Sequence, residues 1–169
     1  NINCDFFGKS ALAHAIGGYK MLRMMQRYEE AWKILSDRTH FNYCTFLTNI
    51  RYEPDEWKKE FYGDAQELMF DNIAKARYAR RNEYNHSLVV NMTHSDHFEL
   101  RLFAGTLDYE QLLTCFGIAE GLAITAKKRS IEWVEHVTWY ELIETVLGNI
   151  SNTLIADYAK QYCENKGVL

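Results

Sequence analysis

The sequence predicts an α+β fold in which short antiparallel strands pack with helices, and three observations carry that expectation. Apolar residues recur at helical spacing over much of the chain. Two apolar-rich runs, 88–92 and 98–103, flank a polar turn of hairpin length. The composition, 47% hydrophobic and 25% charged with a single proline, is that of a chain that builds a core rather than one that stays disordered.

The elements follow in order. Asn1 to Phe7 alternates weakly and runs into Gly8, which suits a short strand entering a turn. From Ser10, the residues Leu12, Ile16, Tyr19, Leu22 and Met25 predict a helix that Gly17 and Gly18 weaken at its middle. A shorter helical stretch is expected from Glu30 to Leu35. The region from His40 to Gly63 has no steady period and reads as an aromatic-rich connection, and Asp64 opens a helix that ends in the basic segment 77–81.

The hairpin is the strongest strand signal. Leu88 to Met92 and Phe98 to Phe103 pair across Thr93-His94-Ser95-Asp96. Period two puts Phe98, Leu100 and Leu102 on a core face and His97, Glu99 and Arg101 on the opposite one. Beyond it, Asp108-x-x-Gln111 is a capping-box pattern opening a helix with Tyr109, Leu112, Leu113, Phe116, Ala119 and Ala123 as its main apolar face, which Cys115, Ile118 and Leu122 widen. Thr138-x-x-Glu141 opens another, and a last helix from near Ser151 carries Leu154, Ile155, Tyr158 and Tyr162.

Composition also narrows function. A net charge of −4 argues against a nucleic-acid partner held on a basic face. No apolar run approaches the ~20 residues that cross a bilayer, and no secretory signal is present, so no membrane partner is expected and a cytoplasmic location is. Four scattered cysteines without C-x-x-C spacing read as reduced structural thiols. The chain starts with Asn1 and its second residue already reads as strand, so residues 1–169 are expected to form one domain or the C-terminal half of a larger one.

Glu99 and Arg101 are the leading site candidates. Opposite charges at i and i+2 on an apolar strand must be solvated, paired or bound. One reading is a cross-strand ion pair on a solvated face. The other is a carboxylate that holds Mg²⁺ beside a guanidinium whose planar fork grips phosphate. His97 shares the face with Glu99, whereas His94 reads as a solvated turn residue, and the hairpin lacks the further ligands of a zinc site. No glycine-rich phosphate loop and no nucleophile elbow is present.

Asn91 followed by Phe98-Glu99-Leu100-Arg101-Leu102-Phe103-Ala104-Gly105-Thr106-Leu107 resembles the putative amidoligase family, a branch of the glutamine synthetase-like carboxylate–amine ligases. The similarity extends to Ser36-Asp37-Arg38, to Tyr43-Cys44 and to Val137-Thr138-Trp139-Tyr140-Glu141. Only the E-x-R-x-F-x-G-T-L core is specific. Two departures stand out: Asn1-Ile2-Asn3 occupies the place of a histidine-containing strand motif, and the acidic strands of the family's N-terminal half are missing.

The resemblance implies the C-terminal part of a glutamine synthetase-like fold. It implies activation of a small-molecule or peptide carboxylate by ATP to an acyl phosphate, then capture by an amine. Glu99 would be the metal ligand for Mg, and Arg101 would stabilise the transferring phosphoryl group. Arg38 would share that catalytic role, with Asn3 and Arg77 lining the nucleotide side and a missing N-terminal segment or partner chain completing the fold. The competing expectation is a non-catalytic descendant of the same fold serving as a structural or protein-interaction module, and a helical interaction domain with a chance motif ranks below both.

Overall fold

A computed structural model describes residues 1–41, 44, 46, 88–92, 94 and 96–169. The chain divides into two compact units, Asn1–Tyr19 with Asn42–Arg101, and Lys20–Phe41 with Leu102–Leu169. Each unit has buried hydrophobic residues of its own. The expected connection after Phe46 and the helix from Asp64 to Arg81 lie outside the described residues.

The first unit is built on a three-stranded antiparallel sheet in the order β1-β3-β2. Here β1 is Ile2–Asn3, β2 is Val90–Asn91 and β3 is His97–Leu100. Ile2 pairs with Phe98 and Asn3 with His97, while Val90 pairs with Leu100 and Asn91 with Glu99. The expected hairpin is therefore present, with shorter strands than the apolar runs. Arg101 lies one residue beyond β3, though its amide still bonds to the Val89 carbonyl at 2.9 Å.

The first strand is shorter than expected because Asn3 ends it. Its Oδ1 accepts the Asp5 amide at 2.7 Å, capping a single 3-10 turn at Cys4–Phe6. Gly8 follows with φ +132°, a conformation that a side chain would strain. Helix α1, Ala11–Arg27, starts under the Ser10 hydroxyl, which accepts the Ala13 amide at 3.1 Å. Its two central glycines answer to packing rather than flexibility. A Cβ at Gly17 would lie 2.4 Å from the Phe7 ring, and one at Gly18 would lie 2.4 Å from the Met92 sulfur. These close approaches explain why a helix tolerates the ~1 kcal/mol cost of each glycine.

The second unit is helical: the end of α1, α2 (Glu29–Ser36), α3 (Tyr109–Lys128), α4 (Ile131–His136), α5 (Trp139–Gly148) and α6 (Thr153–Asn165). Caps expected from sequence do their work. Asp108 Oδ1 accepts the Gln111 amide at 2.7 Å and Thr138 Oγ1 accepts the Glu141 amide at 3.3 Å. The reciprocal half of each box is absent, because Gln111 turns to Thr106 and Asp37 and Glu141 turns to the Trp133 indole. Helix α4 was not expected from periodicity. Its signal was the Ser130 cap, whose hydroxyl accepts the Trp133 amide at 3.1 Å.

Polar side chains of α1 and its junction with α2 satisfy carbonyls left open where other helices end. Lys20 Nζ donates to the Arg129 carbonyl at 2.8 Å, Arg27 to Val134, and Tyr28 to Val137. Arg23 grips Glu135 with two nitrogens, Nε at 2.9 Å and Nη2 at 2.8 Å. Trp32 is fully buried edge-on to Trp139, with ring centroids 5.3 Å apart.

Helix α3 corrects one expectation. Tyr109 and Phe116, assigned to its main apolar face, are 70% and 62% exposed. The expected Ile118, Leu122 and Ala123 are buried, and beside them the buried stripe runs through Thr114, Gly117, Gly121, Thr125 and Ala126 instead of those aromatic rings. Small residues win there because the neighbours come too close for large ones: a Cβ on Gly121 would sit 2.1 Å from the Val146 carbonyl oxygen. Among the described residues, no helix is long and apolar enough to cross a membrane.

Candidate functional site

The first unit brings three polar side chains to one carboxylate. Glu99 sits on β3 directly across from Asn91 on β2, a register that puts the two side chains on the same face. Asn91 Nδ2 donates to Glu99 Oε2 at 3.0 Å, and Arg101 Nη2 donates to the same oxygen at 2.8 Å. His94 Nε2 lies 3.7 Å from it. His94 also stacks on His97, with ring centroids 4.3 Å apart, and His97 Nδ1 pairs with Asp96 at 2.8 Å.

His94 is, as expected, a turn residue with 38% of its side chain exposed, and it also stands beside Glu99. The sequence held one usable sign of this: it lies three residues after the strand residue that faces Glu99. Burial pushes the Glu99 carboxyl up, but the bonds from Arg101 and Asn91, with the charges of Arg101 and His94, outweigh it and leave the group below its ordinary value.

One atom of the cluster is unsatisfied. Arg101 Nε is buried and, among the described residues, has no hydrogen-bond partner. A buried donor left open costs about 1–3 kcal/mol, so a purely structural ion pair would gain by satisfying it. Glu99 fixes one side of the guanidinium while another donor stays open.

Family models, curated proteins and solved structures give no match to this chain.

The remaining expected site residues are arranged as follows. Asn3 pairs with His97 across β1 and β3, but its side chain is occupied with the cap of the 3-10 turn, which accounts for an asparagine there without a ligand. Arg38 belongs to the second unit, where its Nε donates to the Leu102 carbonyl at 2.9 Å. Arg77 lies outside the described residues.

Among the described residues, no group of three His, Cys, Asp or Glu side chains could hold a metal. Glu99 already has an oxygen committed to Asn91 and Arg101. Among the described residues the cluster does not build a cation cage, and its one buried unpartnered donor is Arg101 Nε.

Proposed function

We propose that this chain is an ATP-dependent carboxylate–amine ligase of glutamine synthetase-like fold, or its C-terminal part, acting in the cytoplasm. The open Nε of Arg101 carries the reading. Held by Glu99 through Nη2, the guanidinium has its Nε–H without a partner, a charged donor suited to a phosphoryl or carboxylate oxygen. Bound ATP would supply the phosphoryl group that activates a carboxylate for attack by an amine. In this chain, Arg101 would bind the developing oxyanion, Glu99 would orient Arg101, and Asn91 would hold Glu99. Preorganised donors of this kind lower a barrier because they need no rearrangement as charge develops.

A second reading, a non-catalytic descendant of the same fold, rests on a separate observation. Glu99, the residue assigned to magnesium by resemblance, shares an oxygen with Asn91 and Arg101 and lacks the companion ligands of a metal group among the described residues.

The thermal midpoint of the full-length polypeptide with and without Mg-ATP separates the two. At a hundred times the dissociation constant, a ligand adds about 2.7 kcal/mol of stability. The ligase reading expects a clear upward shift that Glu99→Gln reduces, because the amide no longer holds Arg101 as an ion pair. A folded protein with no shift in Mg-ATP contradicts it and leaves the interaction module.

A further inference from the structure

Among the described residues, two arginine–glutamate pairs are built differently, and the difference lies in one nitrogen. In the second unit, Arg23 meets Glu135 edge-on, with Nε 2.9 Å from each carboxylate oxygen and Nη2 2.8 Å from Oε2. Both donors on that edge of the guanidinium are used, as its planar fork favours with a carboxylate. In the first unit, Arg101 gives Glu99 only half of the same edge. Nη2 donates to Oε2 at 2.8 Å, and the adjacent Nε is buried without a partner among the described residues.

An open buried donor is costly, and here a carboxylate already stands on the neighbouring nitrogen. Something must keep Glu99 from turning into the edge-on pair. Asn91 is placed to do so. It is fully buried, the register of β2 and β3 sets it opposite Glu99, and its Nδ2 donates to Oε2 at 3.0 Å. The oxygen bonded to Arg101 is therefore also tied to the neighbouring strand.

We propose that Asn91 is a positioning residue that holds Glu99 off the edge-on pairing and so keeps the Arg101 Nε–H open for a ligand oxyanion. The proposal rests on the ligase reading for the identity of that oxyanion, and adds what stops the protein from filling the position itself. Without the amide, Glu99 would close on Arg101 as Glu135 does on Arg23. An asparagine with a merely structural part would lower stability when replaced and leave Nε as it is.

The test is hydrogen exchange at the Arg101 Nε–H, read by NMR on the full-length polypeptide without ligand and assigned by its absence in Arg101→Lys. Asn91→Leu removes the donor in a side chain of similar shape, and Asn91→Ala removes it in a smaller one that serves if leucine does not fit. Exchange should slow at least about tenfold in the folded variant, the size of one gained charge-assisted hydrogen bond, and adding Glu99→Gln should undo most of the slowing. Inorganic pyrophosphate, titrated as the probe, should bind the Asn91 variant at least about tenfold more weakly than the parent. Unchanged exchange at Nε in a folded variant, or slowing that persists with Glu99→Gln, would overturn the proposal. Slowed exchange in the variant, with neither pyrophosphate nor Mg-ATP bound by the parent, supports the role of Asn91 and contradicts the ligase reading. Mg-ATP binding with unchanged exchange does the reverse.

Discussion

Glu99 and Asp37 make stability depend on acid in a definite direction. For Asp37, burial pushes the carboxyl up, and the bonds from Lys166, Tyr162 and Gln111 pull it below its ordinary value. Glu99 shows the same balance. A carboxyl with a lowered folded value contributes stability that is fully present above its unfolded value, about 4 for these groups, and lost as pH falls through the folded one. Urea midpoints should therefore hold steady near neutrality and fall below about pH 4. Glu99→Gln should flatten part of that decline, and an unchanged acid profile would contradict the assigned bonds.

Gln26 gives the opposite kind of test. It is buried on α1, and neither its amide nitrogen nor its oxygen has a partner among the described residues. Open buried polar groups cost about 1–3 kcal/mol, so Gln26→Met, similar in shape, should raise the chemical denaturation midpoint by about that amount. A lower midpoint would show that the amide has a partner after all.

At the scale of the element, glycines on and near α3 make a matched pair. Gly121→Ala forces a Cβ against the Val146 backbone, which cannot yield as a side-chain tip can. Overpacking of this kind costs about 1–3 kcal/mol or more. At Gly105, nothing lies within 4 Å of the added Cβ and the backbone is not in the left-handed region, so Gly105→Ala should be neutral or stabilising by up to about 1 kcal/mol. Equal effects of the two substitutions in urea melts would rule out the packing described for α3.

The same helix shows what the sequence makes legible. Capping residues are readable because they act locally: Asp108, Thr138 and, in hindsight, Ser130 each satisfy an amide three residues on. The buried face of α3 is less so. Tyr109 and Phe116 look like core by hydropathy, but which face is buried depends on how near another helix comes. The decisive signs were glycines, which hydropathy scores hardly register. The hairpin was legible because alternation and a turn of fixed length specify register together. Its site was half legible. Glu99 and Arg101 stand out as charges on an apolar strand, whereas the roles of Asn91 and His94 follow from pairing across the turn.

For the whole molecule, chain length and composition foresee a globular α+β protein but not its division into two units, because that depends on which distant segments share a core. The expected site residues divide in the same way, with Asn3, Glu99 and Arg101 in the first unit and Arg38 in the second. Asn3 and Arg38 each have a local structural duty that accounts for them. Arg101 pairs with Glu99 through Nη2 but keeps a buried Nε without a partner among the described residues, and the functional proposal rests on that nitrogen.

The most direct measurement is a calorimetric titration of the full-length protein with ATP, run beside Arg101→Lys and with the fold of each checked by circular dichroism. Lysine keeps the charge but loses the planar fork. The account predicts binding to the parent and an affinity at least about tenfold weaker in the variant, as expected for one lost charge-assisted hydrogen bond. Equal affinity in the two proteins, or no binding to a folded parent, would contradict the claim that the open nitrogen of Arg101 receives an oxyanion.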